Sequence, residues 1–182
     1  MILDRDTEPF DHMVGVDPGE TTGFCALRLG PVVNGGRGVR SRIIHGDVFM
    51  GQVNQDSIRS GNHAMPWYIQ EARLQRNMAG RLEWLALSWG VDCLHLAIED
   101  FSLRERTKDR SLLSPIRMTA GLLALLEASD SLNVVVHLNS ASDGKGTVTD
   151  VVLRRLELYR PGLPHACDAA RQAVLALRKE MG

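Results

Sequence analysis

The chain has 182 residues, with 21 Lys and Arg against 22 Asp and Glu, a formal net charge of −1, and 44% hydrophobic and 24% charged residues. This composition suits one globular domain that buries a core without disulfides or a structural metal, and it excludes disordered and fibrous classes. It also argues against a surface that is basic throughout. Basic residues do bunch, at Arg37, Arg40 and Arg42, at Arg104, Arg106, Lys108 and Arg110, and at Arg154, Arg155 and Arg160; each bunch reads as a phosphate contact or as a solvated face.

Residues 1–11 carry Asp4, Asp6, Glu8 and Asp11 with little apolar content and are expected to form a loose tail ahead of a single domain over 12–182. The opening residues lack a basic start followed by an apolar stretch, and no window has the length of a membrane span, so the expectation is a cytoplasmic protein with no membrane partner. Cys25, Cys93 and Cys167 are an odd number, widely separated and without metal-ligand spacing. They read as reduced, buried thiols.

Strands are expected at 13–17 and 23–29, a glycine-rich connection at 30–38 and a third strand at 42–50, together an antiparallel meander. After a polar loop at 51–64, apolar residues recur at helical spacing from Pro66 to Trp89, and 93–98 is a nearly continuous apolar strand of the kind buried on both faces. A charged loop covers 101–110, a helix 112–128, a fifth strand 132–138 and a loop 139–146. Two more helices are expected at 147–159 and 165–179. The predicted order is β-β-β-α-β-α-β-α-α.

Three acids stand at comparable places in this order. Asp17 ends the first strand, ahead of a Pro18-Gly19 turn; Glu99 ends the fourth; Asp168 lies in the first turn of the last helix. Asp before Pro-Gly is by itself an ordinary turn, because the aspartate bonds its own backbone and Gly accepts positive φ. If the first and fourth strands are neighbours, however, the three carboxylates converge, and hard cations such as Mg²⁺ prefer such oxygens. Paired metals of this kind activate water and stabilise the leaving oxygen of a phosphodiester. His165, three residues before Asp168 on one helical face, reads as a ligand, a proton carrier or a capping histidine. Glu99 and Asp100 point to opposite faces of their strand, so Glu99 is the expected ligand and Asp100 an outer or solvated acid.

Val14-Gly15-Val16-Asp17-Pro18-Gly19 with Thr22-Gly23, then Ala97-Ile98-Glu99-Asp100-Phe101, then His165-Ala166-Cys167-Asp168-Ala169-Ala170 resemble the three catalytic segments of RuvC-like Holliday junction resolvases, especially the compact phage-borne type. The resemblance implies an α/β, RNase H-like fold with a five-stranded mixed sheet flanked by helices. It also implies a nuclease dependent on two Mg²⁺ ions, for which Mn²⁺ substitutes, and a homodimer that cuts four-way DNA junctions symmetrically. Carried over, Asp17, Glu99 and Asp168 are metal-binding carboxylates and His165 takes the place of a fourth ligand. Lys145 resembles a basic loop residue that meets DNA phosphate, and Phe101 an aromatic that stacks at the junction. Arg104, Arg106, Lys108 and Arg110 are expected phosphate contacts. The housekeeping bacterial members have a strongly basic binding face that this net-acidic chain does not share, and the loops 30–38 and 51–64 have no counterpart there. Flap and fork DNA therefore stand beside the four-way junction as substrates.

Two other readings compete. An inactive RNase H-like scaffold binds DNA or a partner without cutting, but it has no need of three like charges whose repulsion costs stability unless a metal neutralises them. A nucleotide-binding module of the actin and sugar-kinase type also opens on an Asp-x-Gly-x-Thr turn, but it needs two lobes.

Overall fold

A computed structural model describes residues 11–31, 39–44, 46–54, 66–101, 110–130 and 132–181. The elements are β1 (His12–Asp17), β2 (Thr21–Arg28), α1 (Val39–Ile44), β3 (Asp47–Asn54), α2 (Trp67–Trp89), β4 (Cys93–Asp100), α3 (Arg110–Glu127), β5 (Asn133–Ser140), α4 (Ala141–Thr147), α5 (Asp150–Arg155) and α6 (Pro164–Glu180). The strands form one sheet in the order β3-β2-β1-β4-β5. The meander β1-β2-β3 is antiparallel, whereas β1-β4 and β4-β5 are parallel, so the sheet is mixed as expected.

Alternation along the central strands sorts the core into two layers. Val14 and Val16 of β1 and Leu94, Leu96 and Ile98 of β4 pack with Leu74, Met78 and Leu82 of α2 and Met118, Leu122 and Leu126 of α3. Met13 and Ala97 face the other way, into a layer built on Ala169, Ala173, Val174 and Leu177 of α6. Each such Leu, Val or Met contributes about 1.5–3 kcal/mol by leaving water. The last residues of the same alternation, Asp17 and Glu99, therefore fall on the α6 side of the sheet.

Three expected elements differ. The third strand is Asp47–Asn54 rather than 42–50, running into the expected loop 51–64, and 39–44 is the short helix α1. Pairing decides this: β3 is in register with β2 from Arg28↔Asp47 to Thr21↔Asn54. The turn ahead of it is tight, since a Cβ on Gly46 would lie 1.9 Å from the Arg28 carbonyl oxygen. The expected loop 139–146 is instead the end of β5 and the helix α4, whose first turn is capped by Ser140 Oγ accepting from the Asp143 amide at 3.3 Å. The expected helix over 147–159 is only α5. Its end is a Schellman motif, with the Glu157 amide donating to the Arg154 carbonyl and the Leu158 amide to the Leu153 carbonyl, and with Glu157 at φ 61° where glycine is usual.

Candidate active site

The turn after β1 is tied by one side chain. Thr22 Oγ1 donates to the Gly19 carbonyl at 2.9 Å and accepts from the Gly19 amide at 3.3 Å, which holds the 17–22 turn closed. On the α6 side, two glycines remove the bulk that would keep the helix away. A Cβ on Gly15 would sit 1.9 Å from the Ala169 carbonyl oxygen, and one on Gly23 2.0 Å from that of His165. The first turns of α6 thus lie directly on β1 and β2, and His165 and Asp168 come with them.

Asp17, Glu99, His165 and Asp168 line one cleft, together with Lys145, Phe101, Pro115 and the 18–21 turn. Nδ1 of His165 lies 2.8 Å from Asp17 Oδ2. A carboxylate only accepts, so Nδ1 carries the hydrogen and Nε2 is the nitrogen left for other chemistry. Asp168 Oδ1 accepts from Arg171 Nη1, and its Oδ2 is 3.9 Å from Lys145 Nζ. Gln172, buried on α6, donates from Nε2 to Glu99 Oε2 at 3.4 Å, while its own Oε1 has no partner among the described residues.

The electrostatics follow from crowding acids in a half-buried place. Burial pushes the Asp17 carboxyl above the usual range; the His165 hydrogen bond opposes this and the charge on Asp168 adds to it. Glu99 is also raised, first by burial and then by Asp17, with Lys145 opposing. The charge of Asp168 raises both Asp17 and Glu99, and that of Asp17 raises Glu99, so acids from three elements add their charge to one cleft.

Of the residues singled out in the sequence, the structure brings Asp17, Glu99, His165, Asp168, Lys145 and Phe101 to this cleft. Lys145 arrives on α4 rather than on a loop. Asp100 is exposed at the end of β4, directed away from the α6 face. Arg104, Arg106 and Lys108 lie outside the described residues, as does the side chain of Arg110.

No protein-family model and no curated protein matches the sequence. Solved structures do match. RuvC of T. thermophilus in complex with Holliday junction substrate superposes with a TM-score of 0.57 at 15% identity, covering 94% of this chain and 97% of that one. A second Thermus thermophilus RuvC structure gives 0.56 at 14% identity, covering 94% and 96%. The yeast mitochondrial Holliday junction resolvase Ydc2 gives 0.55 at 12% identity, covering 98% and 83%.

The fold is that of RuvC. On this RuvC-like, RNase H-like framework, the donor chemistry of the cleft fits a hard divalent cation, with carboxylate oxygens from three separate elements that repel one another in partial burial. Among the described residues no three acidic, histidine or cysteine side chains are already gathered round a common point; the carboxylates are held by Arg171, Lys145, His165 and Gln172. Arg171 and Gln172 were not singled out in the sequence. Their positions three and four residues after Asp168 are the signal that places them on its helical face.

Proposed function

We propose that the protein is a metal-dependent endonuclease that hydrolyses phosphodiesters in branched DNA, with the four-way junction as substrate and a homodimer as the acting form. The observation that carries this reading is the meeting of Asp17, Glu99, His165 and Asp168 in one cleft at the end of β1 and β4, on a RuvC fold.

In this reading Asp17, Glu99 and Asp168 hold Mg²⁺, or Mn²⁺ through the same oxygens, with His165 Nε2 as a further donor. Bound divalent ions in such a site supply the charge that makes water nucleophilic near neutral pH and steadies the leaving oxygen. The Nδ1 contact with Asp17 fixes the ring so that Nε2 is the nitrogen offered to the cation. Lys145 meets a phosphate beside Asp168, Phe101 meets a base at the branch, and Arg104, Arg106, Lys108 and Arg110 bind phosphates further along the arms.

The test is cleavage of a labelled four-way junction beside a linear duplex of matching arms, with Mg²⁺ and with chelator. The expected result is paired nicks confined to the junction and dependent on metal. Binding without cleavage in any divalent metal would point to the inactive scaffold.

A further inference from the structure

Arg171 is anchored from three directions. Nη1 donates to Asp168 Oδ1, Nη2 donates to Asp150 Oδ1, and Nε donates to the Val148 carbonyl oxygen at 3.1 Å. Val148 caps α4 and Asp150 opens α5, so two of the three anchors lie outside the helix that carries Arg171. The side chain is only 13% exposed. A guanidinium is planar and stays charged, and one held by three bonds to separate chain segments has little freedom to turn away. Asp168 has two oxygens, and this contact occupies Oδ1. The other, Oδ2, is the one near the cleft residue Lys145.

We propose that Arg171 is a positioning residue that leaves Asp168 a single oxygen for the cleft, and so sets the site's preference for a small octahedral cation over a larger one. The proposal rests on the reading of Asp168 as a metal ligand. Mg²⁺ takes about six ligands in strict octahedral geometry and engages carboxylates one oxygen at a time, keeping several waters. Ca²⁺ takes roughly six to eight ligands at longer range and readily accepts both oxygens of one carboxylate. With Oδ1 bonded to the guanidinium, chelation by Asp168 would have to share that oxygen with a fixed positive charge, which repels a cation moving toward it. Ca²⁺ loses more by this than Mg²⁺ does.

The test measures binding in the intact protein, by displacement of Mn²⁺ followed by electron paramagnetic resonance, with Mg²⁺ and Ca²⁺ as separate competitors. Arg171→Met is expected to raise Ca²⁺ affinity relative to Mg²⁺ roughly tenfold, equivalent to about 1.4 kcal/mol. In the Ca²⁺-loaded variant, the infrared splitting of the carboxylate bands is expected to narrow, as chelation requires. Asp150→Asn keeps Arg171 but loosens one anchor, and should shift the ratio the same way by less; it decides the matter alone if Arg171→Met does not fold. An unchanged ratio, or an equal loss for both cations, overturns the role of Arg171 while the metal site stands. A wild-type protein that binds no Mn²⁺ overturns the metal site, and this proposal with it.

Discussion

His165 Nδ1 and Asp17 Oδ2 are 2.8 Å apart although 148 residues separate them in the chain. The contact joins the end of the first strand to the first turn of the last helix. It fixes the imidazole by the nitrogen that faces the sheet and leaves Nε2 for the cleft. In the proposed nuclease, Asp17→Asn removes a ligand but no phosphate-binding cation. Cleavage of a four-way junction should fall by more than the roughly 10–100-fold that loss of an outer partner costs, while junction affinity in a mobility-shift assay stays near that of the wild type.

Glu99 binds its proton more tightly in the fold than in the unfolded chain, because burial and Asp17 disfavour its charge. Its ionised form therefore lowers stability above the folded-state pKa, and the penalty disappears as pH falls through that value. In the presence of chelator, Glu99→Gln should melt above the wild type at neutral pH, with the gap closing toward acid. The gain is small because the group is partly solvated.

Lys145 opposes the upward shift of both Asp17 and Glu99. Without it the two carboxyls hold their protons to higher pH. The acidic limb of the profile of metal-dependent cleavage should consequently move to higher pH in Lys145→Ala, and return in Lys145→Arg. A limb that does not move would separate Lys145 from the carboxylate cluster.

Gly23→Ala tests how the site is assembled. The new Cβ would meet the His165 carbonyl carbon and oxygen, backbone atoms that cannot rotate away as a side-chain tip does. The expected cost is about 3 kcal/mol, at the upper end for overpacking, measured by urea unfolding. Cleavage should fall further than that loss predicts, since α6 carries both His165 and Asp168.

A row of histidines lies away from the cleft. His95 Nδ1 is 3.0 Å from His137 Nε2, the His95 amide donates to His12 Nε2 at 3.4 Å, and the row is flanked by Asp11 on His12 and Glu180 on His137. Burial, followed by the charges of His12 and His137, lowers the His95 pKa to about 4. The unfolded chain takes up this proton first, near the ordinary histidine value, so stability is lost as pH falls from about 6.5 toward that lower value. His95→Gln should flatten the slope of unfolding free energy over this interval, as read from denaturant titrations at successive pH values.

The local signals in the chain are strongest where one element settles its own geometry. The helix over 67–89 is legible from its apolar spacing and from Gly90, which closes it at φ 68°. The choice of Glu99 over Asp100 follows from strand alternation, and the Asp17 turn from Pro18 and Gly19. The end of α5 is not legible, since Glu157 stands where the motif favours glycine and what holds it there is the burial of Leu153 and Leu158. Helix α4 contains Gly144 and Gly146, poor helix formers, although its Ser140 cap follows a known pattern. Gly144 also lies against Gln172, where a Cβ would come within 3.2 Å of Nε2.

The sequence by itself determined the strands β1, β2, β4 and β5, the long helices, the choice of Glu99 over Asp100, and Asp17, His165 and Asp168 as its companions in the cleft, because these depend on periodicity and on residues close in the chain. Only the tertiary structure decided where β3 begins, how near α6 approaches the sheet, and that Arg171 and Gln172 occupy oxygens of Asp168 and Glu99. Those features arise from contacts between segments far apart in the chain, where register, close backbone approach and hydrogen-bond geometry select one arrangement among many that local propensity permits.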